Sequence, residues 1–205
     1  MENLEIIKWL GHAGFRIEGS KTIYIDPYQI QAGKPADIIL ITHTHYDHCS
    51  KDDINKIKKQ DTVLIAPEDC APDWKGERKI LKPGQKDVVK GIKIFAILAY
   101  NKNKNFHPKQ NDWVGYIVSI DGLKIYHAGD TDATPEMEKI DVDVALLPIG
   151  GTYTMDVQDA LSVINKMKVK TVMPMHYGTI IGTQKDAQEL KVKSKVPILI
   201  LEKTR

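Results

Sequence analysis

The chain has 205 residues, of which 42% are hydrophobic and 27% charged, and this composition is typical of a globular protein rather than a disordered one. Its 29 basic and 27 acidic residues leave a net charge of +2, and arginine occurs only at Arg16, Arg78 and Arg205, so composition does not indicate nucleic-acid binding. Two cysteines are too few for a disulfide scaffold, and no signal peptide or bilayer-length apolar run is evident, so we expect a cytoplasmic protein that does not enter a membrane.

The first two thirds of the chain predict a β-rich structure in which turns at glycine and proline separate short apolar strands. Ser50 is a suitable N-cap for a short helix with Ile54 and Ile57 on its apolar face. The polar stretch from Asn101 to Asp112 predicts a surface loop. The predicted strands span 4–10, 15–18, 22–26, 37–41, 62–66, 78–81, 87–89, 92–98, 113–120 and 123–127.

The last third predicts strands that alternate with helices. Strands are expected over 142–147, 170–174 and 196–201, and Asp156 and Thr183 are expected to cap the two helices between them. The whole pattern predicts one α+β domain over residues 1–205, in which two mixed sheets pack face to face with helices outside.

The most informative stretch is His43-Thr44-His45-Tyr46-Asp47-His48, which places three imidazoles and a carboxylate within six residues. The chain has only seven histidines, so chance does not explain this density. Imidazole and carboxylate groups are ligands for divalent metals, and the apolar run that precedes them predicts a strand ending at the cluster. The sequence therefore predicts a metal site there.

Later strand ends and one loop supply further ligand types. His127 is the last residue of a predicted strand and Asp130 follows it, His176 follows another strand, and His107 lies in the polar loop. Seven ligands are too many for one tetrahedral zinc, but they suit two ions about 3.5–4 Å apart that share a carboxylate. The seven predicted ligands are His43, His45, Asp47, His48, His107, Asp130 and His176.

The His-x-His-x-Asp-His run, the earlier Asp26-Pro27 and the later Gly129-Asp130-Thr131 and His176 resemble the metallo-β-lactamase superfamily. The segments 11–15 and 175–179 further resemble its small hydrolases that include ascorbate-6-phosphate lactonase-like proteins. The resemblance implies a four-layer αβ/βα sandwich with two metal ions between the sheet edges.

Position by position, the resemblance implies that His43, His45 and His107 hold one metal. Asp47, His48 and His176 would hold the second metal, Asp130 would bridge the two, and Asp26 would orient a ligand from beneath. The ligand set favours zinc, while manganese, iron or nickel would also fit.

The implied chemistry is hydrolysis by a hydroxide shared between the two ions, with Asp47 relaying a proton. We expect cleavage of a lactone, ester or phosphodiester bond in a small anionic molecule. A nuclease or phosphodiesterase of the same superfamily and a metal-binding regulatory protein without turnover are the alternatives. Neither a nucleic-acid nor a membrane partner is expected, and a homo-oligomer is left open.

Some roles stay open from sequence alone. His127 is a rival to His107 for the first metal, although a loop histidine adjusts more easily. His12 is either a buried structural histidine or a catalytic residue that reaches the cleft, and Tyr177 is either a packing residue or an oxyanion contact. Lys102, Lys104 and Lys109 either form a solvated surface or attract an anionic substrate.

Overall fold

Two six-stranded mixed sheets form the centre of the molecule in the computed structural model, which describes residues 3–70 and 74–204. The first sheet contains, in spatial order, β1 (Ile7–Gly11), β2 (Gly14–Glu18), β3 (Thr22–Ile25), β4 (Ile38–Leu40), β5 (Val63–Ile65) and β6 (Arg78–Lys79). The second contains β12 (Lys168–Met175), β11 (Asp141–Pro148), β10 (Leu123–His127), β9 (Val114–Ile120), β8 (Ile92–Leu98) and β7 (Lys86–Val89).

Each sheet is antiparallel at one side and parallel at the other. Strands β1 to β3 form an antiparallel meander, and β3 to β6 pair in parallel. In the second sheet β7 to β10 are antiparallel, and β10 to β12 are parallel. The parallel strands deliver their carboxyl ends to one edge, where ligands usually bind in such sheets.

The sheets pack face to face through one large apolar core. Phe15 and Leu40 of the first sheet belong to the same buried cluster as Tyr116 and Val144 of the second. Ile39 and Ile41 point the other way, into a smaller cluster with the helix α1 (Lys51–Ile57). Strand β4 is therefore buried on both faces, which explains its unbroken apolar sequence.

The helices α2 (Val157–Ile164) and α3 (Gln184–Lys193) pack against each other beside the second sheet. Asp156 caps α2 and Thr183 caps α3 with a capping box, as the sequence predicts. The resulting order of helix, sheet, sheet and helices confirms the predicted four-layer sandwich. Among the described residues, no helix is long and apolar enough to span a membrane.

Two predicted strands differ from the structure. Residues Leu4–Ile6 form a 3-10 turn, so β1 begins only at Ile7. The strand predicted over 196–201 is wrong, because only Ile198 makes an isolated bridge, to Val172. Pro197 has no N–H group to donate to a ladder, so the apolar side chains of this segment pack without forming a strand.

Candidate metal centre

The predicted ligands converge at the edge where the two sheets meet. The Tyr116 hydroxyl donates to the carbonyl of Ile41 at 2.9 Å, and the Val114 amide donates to the carbonyl of Thr42 at 3.1 Å. These bonds tie the end of β4 to the second sheet. The hexapeptide from His43 to His48 follows directly, so it lies in the cleft between the sheet edges.

Three histidines form what we call the imidazole set: His43, His45 and His107. One nitrogen from each ring lies within 4.8 Å of the other two. Nε2 of His43 and Nδ1 of His45 are only 3.1 Å apart, so they converge on one point. The structure thus brings the loop histidine His107 to the hexapeptide although many residues separate them.

Hydrogen bonds fix the tautomer of His43. The Thr42 hydroxyl donates its only proton to Oδ2 of Asp26 at 2.6 Å, because a carboxylate can only accept. The contact of 2.9 Å between that hydroxyl and Nδ1 of His43 therefore requires the ring N–H to donate. The lone pair of His43 is left on Nε2, which faces the rest of the set.

Asn101 fixes the tautomer of His107. Its Oδ1 accepts from Nδ1 of His107 at 3.0 Å and from the backbone amide of His107 at 3.1 Å. Its Nδ2 donates to Asp132 and to the carbonyl of Tyr153, which fixes the orientation of the amide. Asn101 was not singled out from the sequence, because nothing in the polar loop marks it apart from its neighbours.

A second group, the carboxylate set, contains Asp47, His48, His176 and His12. Asp130 lies between the two sets. Its Oδ2 is 2.9 Å from Nε2 of His176 and 3.4 Å from Nε2 of His107, and its Oδ1 is 3.3 Å from Nε2 of His48. The carboxylate that the sequence predicts as a bridge thus touches histidines of both sets.

Asp26 lies beneath the cluster and is fully buried. Its Oδ1 accepts from the Thr42 amide at 2.8 Å, and its Oδ2 accepts from Nδ1 of His48 at 2.8 Å. This bond leaves Nε2 of His48 facing Asp130. Asp26 thus fixes the orientation of the His48 ring, and its role in supporting a metal ligand stays a prediction.

His12 is buried behind the cleft, where it contacts the cleft residue Asp47, and it is not among the residues that line the cleft. Its Nε2 is 2.8 Å from Oδ2 of Asp47, and its ring centre is 4.0 Å from that of His176. Both His12 and His176 have left-handed backbone conformations, with φ angles of 51° and 57°. The His176 amide donates to the His12 carbonyl at 2.9 Å, which holds the two turns together.

Burial keeps the imidazole set uncharged. It lowers the pKa of His43 well below the ordinary value, lowers that of His45, and lowers the pKa of His107 to about 4. Neutral imidazole is the form that binds a metal. This set is therefore ready to bind a metal at neutral pH without losing a proton.

His48 and the neighbouring Asp130 carry charge instead. Burial opposes charge on His48, but the carboxylates of Asp130 and Asp26 outweigh it and raise the pKa of His48 well above its ordinary value. Burial likewise opposes charge on Asp130, but His176 and His48 hold its pKa well below the usual range. Ion pairs thus balance the charges on this side of the cleft.

The other sequence candidates lie outside the cluster. Nε2 of His127 is 2.8 Å from the Ala13 carbonyl, and its Nδ1 accepts from the Gly129 amide at 3.1 Å, so backbone groups occupy both ring nitrogens. Tyr177 is buried and stacks on Trp9 with ring centres 5.1 Å apart, which matches its packing interpretation.

Two of the three loop lysines are engaged by acidic partners. Nζ of Lys104 lies 2.7 Å from Asp132, and Nζ of Lys109 lies 3.7 Å from Glu136 and over the ring of Tyr100. Lys102 is exposed. None of the three is among the residues that line the cleft.

The donor set fits divalent cations. Nε2 of His48, Nε2 of His107 and Oδ1 of Asp130 are buried, and none has a hydrogen-bond partner among the described residues. Leaving such an atom unsatisfied costs roughly 1–3 kcal/mol. A cation in contact with these atoms removes that cost, and imidazole with carboxylate is a donor combination that zinc accepts.

Comparisons with known proteins agree with this geometry. A family model described as a beta-lactamase superfamily domain matches residues 6–176. The chain is 36% identical to the UPF0173 metal-dependent hydrolase of Thermococcus onnurineus (strain NA1), and the match covers 96% of both proteins.

Solved structures of metal-dependent hydrolases also share the fold of this chain. A protein of Parabacteroides distasonis ATCC 8503, crystallised as a candidate metal-dependent hydrolase, has a TM-score of 0.85 and 33% identity over 97% of this chain and 93% of that one. The metallo hydrolase Igni18 of Ignicoccus hospitalis KIN4/I has a TM-score of 0.79 and 26% identity, over 97% and 95% of the two chains. None of these names refers to ascorbate-6-phosphate lactonase, so that narrower resemblance stays a prediction.

Proposed function

This chain belongs to the metallo-β-lactamase superfamily, as a metal-dependent hydrolase, and we propose that it cleaves a lactone, ester or phosphodiester bond in a small molecule with the help of two divalent cations. The observation that carries the proposal is the position of Asp130, whose carboxylate lies within 3.4 Å of histidine nitrogens from both sets. A shared carboxylate of this kind is the usual link between two catalytic cations.

The imidazole set would hold one cation, and Asp47, His48 and His176 would hold the other. Zinc suits a set of five histidines and two aspartates best, and manganese, iron or nickel also accept these ligands. When bound, such cations lower the pKa of water toward neutrality and polarise a substrate oxygen.

The side chains around the cations then have separate tasks. Asp26 and Asn101 each accept from Nδ1 of a ligand histidine, and so aim the opposite nitrogen into the cleft. Asp47 lines the cleft and shares a hydrogen bond of 2.8 Å with His12 behind it, so the two can pass a proton to a leaving group. These two residues are our proposed catalytic pair.

The cleft limits the size of the substrate. It has a volume of about 240 Å³ and is lined by residues of the hexapeptide, the His107 loop and the turn after β12. Pockets for drug-sized ligands usually have about 300–1,000 Å³. We therefore infer a small substrate whose reacting group, when anionic, is attracted by the cations themselves.

A substrate screen of the zinc-loaded protein tests the proposal. We expect turnover with one class among simple lactones, esters and phosphodiesters, and a loss of at least about a thousandfold in kcat/KM for Asp130→Asn. Asp156→Asn is the matched control, because asparagine also caps a helix and the site is left intact. Two bound zinc ions without turnover of any class would contradict the proposal and favour a metal-binding regulatory protein.

A further inference from the structure

An apolar rim surrounds the mouth of the cleft above the metal centre. It consists of Tyr46, Phe106, Tyr153 and Ile180, all of which line the cleft together with the metal-centre residues. Tyr46 is 68% exposed, Phe106 43% and Ile180 38%. Seven large apolar side chains among the described residues are exposed by 37% or more, and three of the seven gather at this one opening.

Polar contacts hold the part of the apolar rim around Tyr153 in place. Nζ of Lys104 donates to the Thr154 carbonyl at 2.6 Å, and Nδ2 of Asn101 donates to the Tyr153 carbonyl at 3.0 Å. The rings of Phe106 and Tyr153 then meet edge to face, with centres 4.8 Å apart. Because these contacts preform the surface, a ligand that binds there need not order it first.

Among the described residues, no basic side chain of lysine or arginine type is found in the lining of the cleft. The only charged or titrating groups of this lining besides the tyrosines belong to the metal centre. Beyond the reacting bond, the cleft therefore offers a substrate aromatic faces and an aliphatic side chain. Such surfaces recognise apolar groups, and especially planar ones.

We propose that the substrate carries a compact apolar group, preferably an aromatic ring, next to its scissile bond, and that the apolar rim binds this group. The inference rests on the proposed function, because it assumes that the reacting bond lies at the metal centre. The limited volume of the cleft, about 240 Å³, suits a single ring better than a long chain.

Binding of two phosphonates to the zinc-loaded protein tests the inference. Methylphosphonate can contact only the cations, whereas benzylphosphonate also presents a ring to the apolar rim. We expect benzylphosphonate to bind at least about tenfold more tightly in calorimetric titrations, as expected for partial burial of one ring.

Two single substitutions provide a matched comparison. Ile180→Ala, in the apolar rim, should reduce the preference for the benzyl compound at least about threefold and leave the affinity for methylphosphonate unchanged. Leu199→Ala should change neither, because Leu199 is equally exposed, at 37%, but lies outside the cleft. Phe106→Leu keeps an apolar side chain in the apolar rim, and we expect it to lower the preference as well.

Equal affinity for the two phosphonates would overturn the inference while leaving the metal centre intact. The same holds if Leu199→Ala lowers the preference as much as Ile180→Ala. Failure to bind zinc or methylphosphonate would instead contradict the proposed function, and this inference with it.

Discussion

The imidazole set and the carboxylate set share Asp130 but balance their charges in different ways. In the imidazole set, burial keeps the rings neutral, and neutral acceptors such as Asn101 hold them. In the carboxylate set, ion pairs such as the contact of 2.8 Å between His48 and Asp26 hold the rings. A cation entering the first set meets neutral rings, whereas one entering the second must replace existing ion pairs.

Because of this difference in charge, the two positions should bind metal with unequal affinity. The extra proton that the raised pKa of His48 retains must leave when a cation arrives, which weakens binding at low pH. We expect the imidazole set to bind zinc more tightly, and the following substitutions test that expectation.

Replacing His107 with alanine should have the largest effect, because it removes a ligand that only the imidazole set uses. We expect the zinc content after dialysis to fall from two ions per chain to one and kcat/KM to fall at least about a thousandfold. The control is His127→Gln, which removes a buried histidine bonded only to backbone and should keep both ions. An unchanged content of two ions in His107→Ala would exclude His107 as a ligand.

Asp26→Asn should have an intermediate effect that falls mainly on the carboxylate set. The amide cannot accept at both positions as the carboxylate does, so Nδ1 of His48 loses its fixed partner. We expect zinc affinity at this set to drop about 10- to 100-fold, measured by competition with a chelator.

Asn101→Ala is the mirror variant, because it releases His107 and should weaken the imidazole set instead. If Asp26→Asn lowers zinc affinity equally at both sets, the proposed difference between the sets is wrong. Zinc affinity at the imidazole set should also fall, but less, because Asp26 reaches His43 only through the Thr42 hydroxyl.

The pH dependence of stability should show the smallest effect. Burial lowers the pKa of His107 to about 4 in the folded chain, below its ordinary value of 6.5, so the unfolded chain takes up the proton first as the pH falls. This group therefore costs the metal-free protein about 1 kcal/mol of stability between about pH 7 and pH 5.5.

His107→Gln should lose that dependence, and urea unfolding of the metal-free wild type and variant at the two pH values measures it. The raised pKa of His48 has the opposite sign, because its contribution is complete at low pH and is lost as the pH rises through the folded value. A variant with the same pH slope as the wild type would show that His107 titrates normally.

Much of this centre could be predicted from sequence because its ligands follow strongly patterned strands. The apolar run before His43 and the strand before His176 place both at the carboxyl ends of parallel strands, and parallel ends meet at one edge. Asp130 could be placed for the same reason, since it follows β10 by a short turn.

The choice between His107 and His127 could not be made with certainty, because it depends on which way a side chain leaves its strand. His127 turns toward the first sheet, where its ring lies 5.8 Å from that of Phe15. The role of Asn101 could not be predicted from the sequence either, because the polar loop must fold back before the Asn101 amide contacts His107. Neither fact follows from local pattern, because both depend on contacts between distant parts of the chain.

The backbone bond between His176 and His12 has a consequence for maturation. His12 lies in the turn after β1, and His176 directly follows β12, the last strand. The bond between them therefore encloses all the strands from β2 to β12 in one loop of the chain. A growing chain on the ribosome exposes the hexapeptide early but cannot complete the cluster until β12 has been made. We therefore expect full metal loading only after β12 and His176 have been made, and high contact order of this kind is associated with slow folding.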